Sequence, residues 1–140
     1  MTRGLLVVLL VVCLLPVLAL SGEKSKTVEV TAELIEIPSK FPPDDLYDYA
    51  YVMKYRVCGG ALDGEEILVA HYKPRRPRKK IKDKMDEHVD GKLKRFKQGD
   101  KHKLSLDPEL QSIWKGAVID DFFATDRKST RYWCLKADPA

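Results

Sequence analysis

Residues 27–37 read TVEVTAELIEI, and the alternation in this stretch decides the fold. Val28, Val30, Ala32 and Leu34 share one phase of a two-residue repeat, while Ile35 and Ile37 fall on the other. Alternation of this kind marks a half-buried strand, since successive side chains point to opposite faces. A slip of one residue within the strand is the signature of a β-bulge, which bends the strand and lets a sheet curl. The segment is therefore read as the sharply bent first strand of a small barrel.

Working outward, residues 38–46 (PSKFPPDDL) form a loop, because Pro38, Pro42 and Pro43 remove donors and fix φ. Residues 49–58 (YAYVMKYRVC) then give a second strand. Tyr49, Tyr51, Met53, Tyr55 and Val57 line one face, and Ala50, Val52, Lys54, Arg56 and Cys58 line the other. A turn at residues 59–64 (GGALDG) leads into residues 66–72 (EILVAHY), which are apolar on both faces, as a central strand would be. Residues 73–77 (KPRRP) end that strand. Ile81, Met85 and Val89 then recur every four residues among charges, which predicts a short helix over residues 78–89 ended by Gly91. A Gly99-Asp100 turn precedes a short strand in which His102, Leu104 and Leu106 share a face. Asp107-Pro108-Glu109 supplies an N-cap, a first-turn proline and an early acid, predicting a helix to about residue 115 ended by Gly116. Residues 117–123 and 131–137 read as two further strands around a loop at residues 124–130. The expected fold class is mainly β with two short helices, a small OB-like five-stranded Greek-key barrel.

The ends of the chain bear on its compartment. Arg3 precedes residues 5–20 (LLVVLLVVCLLPVLAL), which carry no charge, and Ala19 and Ser21 place small residues at a cleavage site. This is the pattern of an export signal over residues 1–21. Its apolar run is shorter than the roughly 20 residues of a membrane-spanning helix, and Pro16 interrupts it. Cleavage is expected to leave a polar leader at residues 22–26 and one domain at residues 27–140, periplasmic or secreted, with no stable membrane span. Cys58 and Cys134 would then share an oxidising compartment, so a disulfide and two free thiols are both open readings.

The stretches TVEVTAELIEI, YAYVMKYRVCGGALDGEEILVAHY and FKQGDKHKLSL, with their Gly-Asp-Lys turn, resemble OB-fold domains of the netrin and tissue-inhibitor-of-metalloproteinase type, which include exported bacterial versions with few cysteines. The resemblance covers residues 27–106 and implies an OB-fold. Metalloprotease inhibitors of that family use a cysteine at the mature N-terminus, where this chain has Gly22-Glu23-Lys24. The resemblance therefore does not carry over protease inhibition.

Charge is distributed unevenly. Residues 71–103 hold 14 Lys and Arg against 5 Asp and Glu, whereas the rest of residues 22–140 holds 10 against 16. Lys73, Arg75, Arg76, Arg78, Lys79, Lys80, Lys82 and Lys84 form the densest part and are the candidate ligand-binding residues. Such a cluster attracts polyanions through long-range potential and counterion release; the competing reading is a solvated surface. Outside the cytoplasm the expected partners are an acidic polysaccharide or an acidic protein, with nucleic acid disfavoured.

The remaining motifs favour plain packing. Tyr49, Tyr51 and Tyr55 fit a stacking platform, but alternating aromatics in a strand more often pack a core. His71, His88, His102, Cys58 and Cys134 lack the spacing of a metal site. Neighbouring acids such as Asp44-Asp45 and Asp120-Asp121 point to opposite faces on a strand and cannot share acid–base work. There is no GxSxG elbow, glycine-rich phosphate loop or recognisable catalytic cysteine. The sequence thus predicts an exported, non-catalytic binding module without metal or cofactor. Its rivals are an accessory protein docking through apolar strand edges and an enzyme of unrecognised type.

Overall fold

The computed structural model describes residues 27–43, 46–114 and 118–140. The expected export signal and polar leader, at residues 1–26, and the Asp44-Asp45 pair lie outside them. Among the described residues there are six strands: β1 (Val28–Glu36), β2 (Tyr49–Val57), β3 (Glu66–Tyr72), β4 (Lys101–Asp107), β5 (Val118–Asp120) and β6 (Arg131–Pro139). One helical turn, α1 (Leu110–Ile113), follows β4.

The order β1-β4-β6-β3-β2 closes on itself through pairing of β1 with β2, giving a five-stranded barrel to which β5 adds in parallel alongside β2. The β3–β6 pair is parallel and the other barrel pairs are antiparallel. This is the mixed topology of a small OB-like barrel. Closure depends on β1, whose first part pairs with β4 and whose last part pairs with β2. The register with β2 steps from Leu34↔Tyr55 to Glu36↔Lys54, so Ile35 is the extra residue. The phase slip in the sequence is the bend that closes the barrel.

The strands bury two apolar layers. Inside the barrel lie Leu34, Tyr49, Tyr51, Met53, Tyr55, Ile67, Val69, Leu104 and Leu106 with their neighbours. Outside it, Ala50, Val52, Leu68, Ala70 and Tyr72 on β2 and β3 are covered by Ile81, Met85, Val89, Trp114 and Phe123. The two-sided apolarity of residues 66–72 is explained by this second layer.

The expected helix over residues 78–89 is not formed. Two 3-10 turns, Arg78–Lys80 and Asp86–His88, stand in its place, with Ile81 already extended. Asp83 explains the break: its carboxylate accepts from the Met85 amide at 2.9 Å and from the Tyr72 hydroxyl at 2.6 Å, bonds that compete with a helical ladder. Ile81, Met85 and Val89 are buried nonetheless, because two turns return every fourth residue to the sheet as well as a helix does.

Among the described residues the second expected helix is formed only as α1, and its expected end at residues 115 and 116 lies outside them. Asp107 remains in β4, paired with Trp133, and accepts from the Glu109 amide instead of capping a helix. Trp114 ends α1 by stacking on Trp133 at 5.9 Å and donating its indole N–H to Val118. The strand expected at residues 117–123 is shortened to β5, since the Asp121 carboxylate accepts from the Phe123 amide and starts a turn.

Candidate functional site

The basic cluster does not act as one surface. Lys73, with φ of 37°, is buried and donates to Asp48 at 2.7 Å, and Lys84 reaches the same carboxylate at 3.5 Å. The Lys73 ammonium holds the Asp48 carboxyl below the usual carboxylate range. Arg78 is 3% exposed and donates to the carbonyls of Lys73 at 2.8 Å and Arg76 at 3.0 Å, while its guanidinium lies 5.1 Å from the Phe96 ring centre. Lys73 and Arg78 are buried and build the loop at residues 73–78, whereas Lys84 shares the Asp48 carboxylate while its side chain stays exposed. Arg75, Arg76, Lys79, Lys80, Lys82 and Lys84 remain exposed. Arg78→Met is expected to lower stability by about 2 kcal/mol, the scale of hydrogen bonds from a charged donor; urea unfolding measures it.

A cleft of about 500 Å³ forms where the first 3-10 turn meets residues 92–94. Pro77 and Leu93 line it together with Lys79, Lys80, Lys92 and Lys94. Three backbone contacts assemble it: the Arg78 amide donates to the Leu93 carbonyl at 3.0 Å, the Leu93 amide to Ala137 at 3.1 Å, and the Lys92 amide to the Asp138 carboxylate at 2.8 Å. Local alternation buries Leu93 and leaves Lys92 and Lys94 exposed on either side of it. Among the described residues, none of the four ammonium groups has an ion-pair partner. Unneutralised like charges around a low-dielectric floor focus field lines on the cleft. Lys92 and Lys94 belong to the basic block but stand outside its densest run, so only folding reveals them as site residues.

Inside the barrel the Tyr55 hydroxyl lies 3.0 Å from His71 Nε2 and 3.1 Å from His102 Nδ1. Phe96 packs on both imidazoles. Among the described residues, His71 Nδ1 and His102 Nε2 have no hydrogen-bond partner. Burial pushes the His71 pKa well below its ordinary value, assisted by Arg78 and by His102; burial also lowers that of His102, against the pull of Asp100. Burial pushes the Cys134 thiol up to about 12, so it stays protonated and is a poor nucleophile. The sequence signal for this cluster is phase: His71 follows Ile67 and Val69 on their face, and His102 shares that of Leu104 and Leu106.

Other sequence candidates are placed as packing. Tyr49, Tyr51 and Tyr55 are fully buried, so they form core and not a stacking platform. Cys58 and Cys134 are both free. Cys134 points into the barrel, whereas Cys58 follows inward-facing Val57 on the opposite phase, so the two thiols face different sides of the wall. Asp120 accepts from the Tyr47 hydroxyl and Asp121 pairs with Arg131 at 2.8 Å, separate structural tasks. Among the described residues, no three His, Cys, Asp or Glu side chains group as metal ligands, and no helix is long and apolar enough to cross a membrane. Compared with protein-family models, with curated proteins and with solved structures, the chain has no match.

Proposed function

We propose that the protein is an exported, non-catalytic binding module that holds an acidic polymer or acidic protein partner in the Lys79/Lys80/Lys92/Lys94 cleft. One observation carries this reading: four lysines, without an ion-pair partner among the described residues, line one concavity together with Pro77 and Leu93. A merely solvated basic surface gains nothing from bringing two lysine pairs together across a fold. Where a buried or half-buried cation serves structure here it is engaged: Lys73 and Arg131 pair with carboxylates, and Arg78 donates to backbone carbonyls. The cleft lysines are not, and their charge is available to a ligand.

Lysine suits this task. Its ammonium is a compact, hydrated point charge on a flexible stem, which meets anions of varied geometry without the fixed fork of arginine. Exchanging Lys79, Lys80, Lys92 and Lys94 together for glutamate is expected to abolish retention on heparin or alginate resin beyond that of a charge-matched control protein. The fold should be kept, because these ammonium groups stabilise nothing by pairing. Retention of the variant at the salt concentration of the unaltered protein would refute the site.

A second reading has its own observation. Leu46, Tyr47, Val118 and Phe122 are large, exposed apolar side chains near β5, which adds outside the closed barrel. A protein docking there would bind in a salt-insensitive way, and the four-lysine variant would leave that association unchanged.

A further inference from the structure

The lysine cleft has a neighbour across the loop at residues 73–78. A second concavity of about 430 Å³ is lined by Ile37, Ser39, Lys40, Phe41 and Arg75. Its composition is of the same kind as that of the first, with two cations in place of four beside apolar side chains. Among the described residues neither Lys40 nor Arg75 has an ion-pair partner. Arg75 in this pocket and Pro77 in the cleft are two residues apart, so their Cα atoms lie within about 7 Å. The loop between is held rigidly: the Arg76 amide donates to the Lys73 carbonyl at 3.1 Å, and Arg78 clamps both carbonyls from below.

The second pocket also opens beside aromatic surface. Phe41 packs edge-on against Tyr51 at 4.9 Å, and Phe122 lies 5.9 Å from the same ring while remaining 60% exposed. Tyr51 itself is immobilised, since its hydroxyl donates to the Ser39 carbonyl at 2.9 Å and lies 2.8 Å from Ser39 Oγ. An exposed phenyl ring on a rigid base is an apolar platform next to unpaired positive charge.

We infer that the two pockets are subsites of one track for an acidic polysaccharide, a chain whose rings carry anionic groups on their rims and apolar C–H faces between them. This rests on the polyanion reading above and specifies its ligand. Charge alone would be served by an unbroken lysine surface. Apolar floors at Pro77 and Leu93, and at Ile37 and Phe41, add a preference for a ligand with non-polar faces, which an inorganic polyphosphate lacks. Two separated subsites add a preference for length, because a second contact within one chain forms at high effective concentration.

The test is calorimetric titration of the purified protein with oligouronates from dimer to decamer, with polyphosphate and polyglutamate of matched charge as probes. Affinity is expected to rise at least about 100-fold from dimer to decamer, the scale of two-site avidity. Lys40→Glu with Arg75→Glu, and separately Lys79→Glu with Lys80→Glu, should each remove that rise while dimer binding persists at the intact subsite. The corresponding glutamine variants should do the same if charge reversal disturbs folding. Equal affinity for polyphosphate or polyglutamate, or a length dependence surviving in either variant, would overturn the track and leave a general polyanion site standing. Failure of every polyanion to bind above a charge-matched control would overturn both readings.

Discussion

Gly91→Ala is expected to cost on the order of 4 kcal/mol, a size that single substitutions reach through a few mechanisms, backbone strain and overpacking among them. Gly91 has φ of 114°, a conformation rarely open to a residue with a side chain. Its added Cβ would overlap the Ala137 carbonyl oxygen and lie 2.7 Å from the Ala137 nitrogen, so it meets the backbone of β6 and not a side-chain tip that could swing aside. Relief requires residues 90–93 to lift away from β6. That movement breaks the bonds from Ala137 N–H to Asp90 and from Leu93 N–H to Ala137, and with them the wall of the lysine cleft. Gly99→Ala separates the two causes. Gly99 has a similar φ of 97° but nothing within 4 Å of its Cβ position, so only the conformational cost of about 1 kcal/mol applies. Urea unfolding of both variants measures the difference, and equal losses would show that the overlap with β6 is not the cause. The 5–15 kcal/mol typical of a small domain makes the larger loss visible as a population of unfolded protein.

The domain is also expected to lose stability steeply as pH falls below about 6.5. His71 and His102 have depressed pKa values in the folded state, so the native barrel binds fewer protons than the unfolded chain, whose histidines titrate near 6.5. Their contribution is fully present above that pH. It declines below it and is lost once the pH has passed the folded-state values, with a slope approaching 1.4 kcal/mol per pH unit for each group, hence about 3 for the pair. Burial sets the direction at both imidazoles; Arg78 and His102 add to it at His71, Tyr55 is neutral, and Asp100 pulls His102 the opposite way. Asp48 and Asp126 are held below the usual carboxylate range, and Asp126, accepting from Ser129, lies at about 2. Both are depressed acids, so the stability they add is kept until the pH drops below about 4. The histidine window therefore opens first as pH falls, below about 6.5, and the carboxylate window opens below about 4. His71→Gln with His102→Gln should flatten the unfolding free energy between pH 4 and 6.5 and leave the lower window alone. A profile unchanged by that double substitution would assign the acid sensitivity to other groups.

Much of the barrel was legible before any coordinates. The slip from Leu34 to Ile35 located the bend that closes the sheet, and the alternation of Tyr49, Tyr51, Met53, Tyr55 and Val57 named the inward face of β2. The two-sided apolarity of residues 66–72 correctly required cover on both sides. Local class was less legible where one spacing suits two conformations. Ile81, Met85 and Val89 satisfy a helix and a pair of 3-10 turns equally, and the choice fell to the Asp83 carboxylate and its bond from Tyr72, a residue on another element. The candidate site was legible only in part. Lys79 and Lys80 belong to the dense basic run, but two of its eight members, Lys73 and Arg78, are buried and serve the fold instead.

Sequence by itself determined which side of the barrel wall each strand residue occupies, because alternation is a property of neighbouring peptide units and is written residue by residue. Tertiary structure alone decided which distant residues meet: His71 with His102 across Tyr55, and Lys79 and Lys80 with Lys92 and Lys94 around Leu93. Those meetings depend on strand order and on backbone bonds such as Arg78 to Leu93. Partners that come together only through closure of the barrel leave no periodic trace along the chain.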